Sequence, residues 1–355
     1  MGPWETADCA IIGFTIRGGQ KDFGAGISGG YGPNQTEGTH AQIMHNVFVN
    51  NVATGGGGAL AFCHGLIQYN TIGASGAPNR ALHGAGLYAC NGTVRRNLIR
   101  YNEADALGFG AGLAQCSGEV TQNYIARNKA TTTVGYGGGL AWCYGTVRSN
   151  IVYYNEAATE GAGLYDCDAT VIEQNTVYDN RIAAGGHVAG MYNCGPNTTV
   201  RNNILWENKS GGSTTNAQIG GTFFTLPIYC CIQEDTNPNS NPGNGNIGPF
   251  SQPPFSPGFL STSPTSPWEQ FLHLSSNSDC IDKGYTDFDH FPDKPKKYRD
   301  FDHQSGPFDG PTDDDGEEGE AGEIAQRDIG ADEYPTGLPG DFTYWWEQFG
   351  TSPGP

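Results

Sequence analysis

The segments GAGLYACNGTVRRNLIRYN (84–102), GAGLAQCSGEVTQNYIARN (110–128) and GGGLAWCYGTVRSNIVYYN (137–155) superimpose without a gap. This self-similarity constrains the fold more than any other feature of the chain. GAGLYDCDATVIEQNTVYDN (161–180) and VAGMYNCGPNTTVRNNILWEN (188–208) follow with one or two inserted residues. GGALAFCHGLIQYNTIGAS (57–75) precedes them, and a degenerate copy starts at Gly24. A unit of about 24–28 residues cannot bury its own apolar side chains, so copies must stack on their neighbours.

Three apolar columns recur, each in a short β-prone stretch. Leu60, Leu87, Leu113, Leu140, Leu164 and Met191 form the first. Ile67, Val94, Val120, Val147, Val171 and Val200 form the second, and Ile72, Ile99, Ile125, Val152, Val177 and Leu205 the third. The expected fold is therefore all-β: a right-handed parallel β-helix with three strands per coil. Stacked strands lie ~4.8 Å apart, so equivalent residues should form ladders along the axis.

Two such ladders are asparagine: Asn46, Asn70, Asn97, Asn123, Asn150, Asn175 and Asn203 at the start of the third strand, and Asn51, Asn102, Asn128, Asn155, Asn180 and Asn208 at its end. Asn tolerates left-handed backbone and bonds local backbone groups, which makes a turn its natural position. A cysteine ladder runs through Cys63, Cys90, Cys116, Cys143, Cys167 and Cys194. One small apolar side chain per coil at a fixed inward corner favours stacked thiols over bridges. Cys230, Cys231 and Cys280 lie outside the ladder and are the better disulfide candidates.

The stretches EADALGF (103–109), KATTTVGY (129–136) and EAATE (156–160) vary most and are expected as loops along one edge. From Asn237 the periodicity fails and Pro, Ser, Asn and Gly dominate. The expected organisation is coils over 1–235, an irregular wrap and cap over 236–335, and a tail over 336–355. A cap is needed because an open terminal coil exposes strand edges. QPPF (252–255), FLHLSSNSDCIDKG (271–284) and RDIGADEY (327–334) resemble the closing segments of bacterial β-helix proteins of the choice-of-anchor Q group. The resemblance implies export and display on the cell surface. Gln252 or Pro253 stands where that group has Asp, and the acidic insertion DGPTDDDGEEGEAGE (309–323) interrupts the closing motif. The chain begins almost inside a coil, at Cys9–Gly19, with no secretory signal, so a processed or trimmed product is expected.

The net charge of −19 argues against nucleic acid as a partner, because a duplex-binding face needs Lys and Arg. No apolar run reaches the ~20 residues of a membrane span. Residues 281–335 hold 17 acidic and 6 basic side chains. Asp287, Asp289, Asp300, Asp302 and Asp309 there are candidate oxygen ligands for Ca²⁺, without an EF-hand spacing.

A polysaccharide lyase acting in a groove would need a basic side chain or Ca²⁺, and a hydrolase would need paired carboxylates. The coils hold few lysines, and Arg95, Arg148 and Arg201 read as an outward structural column with neighbouring threonines. Asp166 and Asp168 flank Cys167, and Glu173 and Asp179 follow in the same region, where a carboxylate pair could arise. Aromatic residues are more suggestive. Tyr153, Tyr178 and Trp206 follow the third apolar position in successive coils, Tyr165 and Tyr192 follow the first, and Trp142 lies one residue further. Rings at coil spacing form a platform for the C–H faces of a sugar, or else shield strands beneath the C-terminal wrap. The expected function is a secreted or cell-surface rod, adhesive or fibre-forming, touching a polysaccharide or cell-surface glycan and stacking end to end on copies of itself.

Overall fold

The computed structural model describes residues 6–280, except 31–37, 132–133, 170, 184–185, 196–197, 216, 223–225, 234–245, 249–256, 260, 264–271, 273, 276–277 and 279. The chain winds into a parallel β-solenoid of about seven turns, and the described residues contain no helix. Each coil contributes to four sheets, here numbered I to IV. Sheet I holds the Leu positions, from Ile27–Ser28 to Ile219–Gly220. Sheet II holds the Val positions, from Ala10–Ile12 to Thr199–Arg201, and sheet III the segments between the asparagines, from Thr15–Arg17 to Cys231–Ile232. Sheet IV runs from Gln20–Phe23 to Lys209–Ser210.

Sheet IV corrects the expected count of three strands per coil. It occupies the segments expected as edge loops, including Glu103–Phe109, Lys129–Ala130 and Glu156–Ala157. Its inward column is Ala53, Ala81, Ala104, Ala130 and Ala157, all buried. Ile182 takes the next rung, and a column so rich in Ala leaves no apolar periodicity to read.

The core is a single stack of Leu, Ile, Val, Met and Cys from Ile27 to Ile232, almost all of it without solvent contact. Each fully buried aliphatic side chain contributes roughly 1.5–3 kcal/mol. On the outer face of sheet II, Arg148 pairs with Glu119, Arg201 with Glu173 at 2.8 Å, and Arg95 Nε donates to Gln68 at 2.9 Å. The outward arginine column is thus structural.

Both asparagine ladders form, but the left-handed residue is the one before each Asn. His45, Tyr69, Arg96, Gln122 and Gln174 take φ of 52–56° before the first ladder, as do Tyr101, Arg127 and Glu207, at 54–56°, before the second. Each such residue costs roughly 1–2 kcal/mol. The asparagine offsets this by holding the bend from its far side. Asn123 N–H donates to Asn150 Oδ1 (2.9 Å), while its Nδ2 donates to Val94 O (2.8 Å), Thr121 O (3.0 Å) and Asn150 Oδ1 (3.1 Å). The second ladder includes Asn79, which the insertion in its coil hides from the sequence period.

All ten cysteines are free. The six ladder thiols donate to carbonyls two residues back, as Cys63 Sγ does to Ala61 O at 3.4 Å. Cys230, Cys231 and Cys280 are buried and unbridged, against expectation. Cys230 takes the next rung of the first asparagine ladder: its Sγ accepts from Asn203 N–H at 3.4 Å, and its own N–H donates to Asn246 Oδ1 at 2.8 Å. The described residues of the C-terminal segment lie on sheet III, where Ile247, Leu274 and Cys280 pack with Ile204 and Cys231.

Replacing Asn150 by Ala orphans Asn123 N–H and takes one donor each from Val120 O and Arg148 O, the latter still accepting Gln122 N–H at 3.3 Å. At about 1–3 kcal/mol per buried unpaired group, Asn150→Ala should lose about 1–3 kcal/mol in urea denaturation, and Asn150→Asp should do no better, because its second oxygen would face Val120 O, Arg148 O and Asn175 Oδ1. Thiol titration should find one fast-reacting group, exposed Cys9, and nine that react only after unfolding. A reducing agent should leave the melting temperature unchanged.

Candidate functional site

The corner between sheets IV and I brings three columns together. The first runs through the last residues of four sheet IV strands, Phe23, Gly56, His83 and Phe109, and continues through the bridge residues Tyr136 and Glu160 beyond the next two. The second is the outward residue of sheet I: Ala61, Tyr88, Ala114, Ala141, Tyr165 and Tyr192. The third follows it at positive φ and includes Phe62, Trp142 and Asp166. Coil stacking turns these columns into one surface.

The rings form an unbroken chain of contacts along the axis. Phe23 lies 5.6 Å from Phe62 and 5.7 Å from Tyr88. His83 is 6.4 Å from Tyr88 and 5.1 Å from Phe109. Phe109 meets Trp142 at 4.2 Å and stacks on Tyr136 at 5.4 Å with 8° between planes. Tyr136 lies 4.6 Å from Tyr165, which stacks on Tyr192 at 6.1 Å and 9°. Phe62 and Tyr88 are buried at one end, while His83, Phe109, Tyr136, Trp142, Tyr165 and Tyr192 are part-exposed.

Polar groups fix the rim. Trp142 Nε1 donates to Asp166 Oδ2 at 3.0 Å, and Asn193 Nδ2 donates to Asp166 Oδ1 at 2.9 Å. Glu160 lies beside the Tyr192 side chain. Burial, and then Asp166, pushes the Tyr165 hydroxyl up to about 12, and burial and Glu160 raise Tyr192. Burial lowers His83. The surface is therefore a neutral aromatic floor at physiological pH, with phenol donors and an acidic edge.

The six rings expected to form one strip separate onto two faces. Trp142, Tyr165 and Tyr192 belong to the cleft. Tyr153, Tyr178 and Trp206 lie on sheet III against the C-terminal segment: Tyr153 is only 4% exposed, clusters with Leu272, and Tyr178 meets Phe259 edge-on at 5.6 Å. Trp206 packs beside Phe259 in the adjoining cluster. His83, Phe109 and Tyr136 are cleft residues outside the expected set. Their signal was present in the sequence: each directly precedes a glycine at positive φ, at Gly84, Gly110 and Gly137.

The carboxylates considered for hydrolysis are dispersed and engaged. Asp166 holds Trp142 and Asn193, Thr198 donates to Asp168 at 3.4 Å, Glu173 holds Arg201, and Asp179 holds Arg181 and Lys209. The calcium candidates Asp287, Asp289, Asp300, Asp302 and Asp309 lie outside the described residues. Among the described residues no three His, Cys, Asp or Glu side chains gather as metal ligands.

A depression at the turn from sheet I to sheet II is lined by His40, Gln42, His64, Asn91 and Glu119. His64 Nδ1 accepts Asn91 N–H at 3.1 Å, and its Nε2 is buried without a partner. Burial and neighbouring His40 lower its pKa. Protonating Nδ1 would also break the Asn91 bond.

No family model matches this chain, and no curated protein matches it, so membership of the choice-of-anchor Q group gains no support.

His64 and His83 both titrate below 6.5 in the folded state. The unfolded chain then binds protons that the native one refuses, so stability is present above pH 6.5 and falls as pH drops through that value. Thermal unfolding from pH 7 to pH 5 should show this loss. A His64→Gln, His83→Gln double variant should flatten the slope, and an unchanged slope would assign the loss to other groups, His45 or the carboxylates.

Proposed function

We propose that this β-solenoid is an extracellular or cell-surface glycan-binding rod whose contact surface is the aromatic cleft between sheets IV and I. The observation that carries the reading is the continuous chain of rings from Phe23 to Tyr192, part-exposed from His83 onward. Aromatic faces are electron-rich and apolar, which suits the C–H faces of a pyranose ring, while phenol and carboxylate groups at the rim suit its hydroxyls.

The geometry favours a polymer over a single sugar. The rings follow the solenoid axis at the spacing of the coils, so an extended polysaccharide lying parallel to the rod meets several rings at once. Their combined action supplies affinity that one stacking contact lacks. Rigidity helps, because the platform is set by the backbone ladder and little side-chain entropy is lost on binding. The resemblance of the closing segments to exported bacterial β-helix proteins supports the placement outside the cell.

Affinity electrophoresis against a panel of soluble neutral and acidic polysaccharides tests the reading. At least one should retard the native protein, and Trp142→Ala should weaken that binding about tenfold, or ~1.4 kcal/mol. Tyr178→Ala, beneath the C-terminal segment, should lower stability and leave binding unchanged. Retardation by none of the panel, or equal retardation of wild type and Trp142→Ala, would refute the assignment.

A further inference from the structure

Most outward arginines of the coils face a polar or acidic partner. Arg80 pairs with Glu103, Arg148 with Glu119, Arg181 with Asp179 and Arg201 with Glu173. Arg95 and Arg96 reach Gln68 and Gln122. Arg100 breaks the pattern. It is only 8% exposed, yet among the described residues it forms no ion pair, and its Nε is buried with no hydrogen-bond partner.

The surroundings of Arg100 deepen the anomaly. It points outward from sheet III, in register with Ala126 on the next coil. Its guanidinium lies over the Tyr101 ring at 5.7 Å, and Arg127 lies over the same ring at 5.8 Å. Arg127 also lies 5.4 Å from the Tyr154 ring and has no carboxylate partner among the described residues. The charged or titratable groups acting on Arg100 are Tyr101, Tyr124 and Arg127, and the last of these is repulsive.

Two cations sharing one ring in an acidic chain, one of them nine-tenths buried, leave an uncompensated charge. Burying a charge without a counter-charge costs several kcal/mol. A cation–π contact recovers roughly 0.5–2 kcal/mol, which does not close the gap. An anion would supply the counter-charge.

We propose that Arg100 and Arg127 form an oxyanion site at the end of sheet III, distinct from the aromatic cleft, that takes a carboxylate or sulfate group. Guanidinium groups offer planar paired donors that match such oxygens. The Tyr101 ring holds both guanidiniums on one surface, beside the rung at which Arg100 pairs with Ala126. The group arrives either on an acidic polysaccharide or as a free anion, and the chemistry of recognition is the same.

Thermal unfolding in sodium sulfate, against sodium chloride at equal ionic strength, tests the site, because a ligand that binds only the native state stabilises it saturably. Wild type should show a saturable rise in melting temperature that Arg127→Gln lacks, the latter being at least as stable without sulfate. Arg100→Gln should behave alike. Affinity electrophoresis in oligogalacturonate separates the sources. Retardation lost at least tenfold in Arg127→Gln assigns the site to a polymer-borne carboxylate, while a sulfate response alone assigns it to a free anion. Equal sulfate response and equal retardation in wild type and Arg127→Gln would overturn the proposal. Trp142→Ala should leave the sulfate response intact, so failure here is distinct from failure of the aromatic cleft.

Discussion

The asparagine ladder is the interaction on which the rest depends. Each coil turns sharply at residues held in left-handed backbone, and each such turn leaves an amide without a backbone carbonyl and carbonyls with room for a second donor, as Arg148 O has beside Gln122 N–H. One asparagine closes all of them, using its amide for its own coil and the preceding one, and its oxygen for the preceding asparagine. The bond network is directional. At one end Phe14 N–H and Gly19 N–H donate into Asn46 and Asn51. At the other, Cys230 and Asn246 continue the first ladder, while Gln218 Oε1 receives Asn208 N–H and Nδ2. The ladder ends in substitutes that preserve its acceptors.

Register follows from this network, and everything visible on the surface follows from register. Rungs 23–28 residues apart are held in line whatever the intervening segment does, so residues distant in sequence become neighbours in a column. Inward columns exclude water. Outward columns balance charge, as along sheet IV, where Arg80, Glu103, Lys129 and Glu156 alternate in sign. The aromatic cleft and the Arg100–Arg127 pair are the columns whose contents these two needs do not explain.

Two sets of rings illustrate how little spacing alone decides. Tyr153, Tyr178 and Trp206 recur as regularly as Tyr165 and Tyr192, yet the first set supports the C-terminal segment and the second lies part-exposed. Local sequence is the same in kind for both. What differs is which face of the solenoid the later chain crosses, and that depends on Phe259, Leu272 and Leu274 finding sheet III.

The sequence by itself determined the solenoid, the asparagine rungs, the inward cysteines and the three apolar columns, except one rung of the second where Ile172 and not Val171 is inward, because each repeats at the coil period and each is required by a local backbone or packing demand. It concealed the fourth sheet, whose inward column is alanine, and Asn79, displaced from the period by an insertion. Only the tertiary structure decided that Phe109 and Tyr136, at the ends of segments with no shared pattern, join Trp142, Tyr165 and Tyr192 on one face. Only it decided that Arg100 is buried without a carboxylate. Such juxtapositions arise between coils, where neighbours are set by stacking and not by position in the chain.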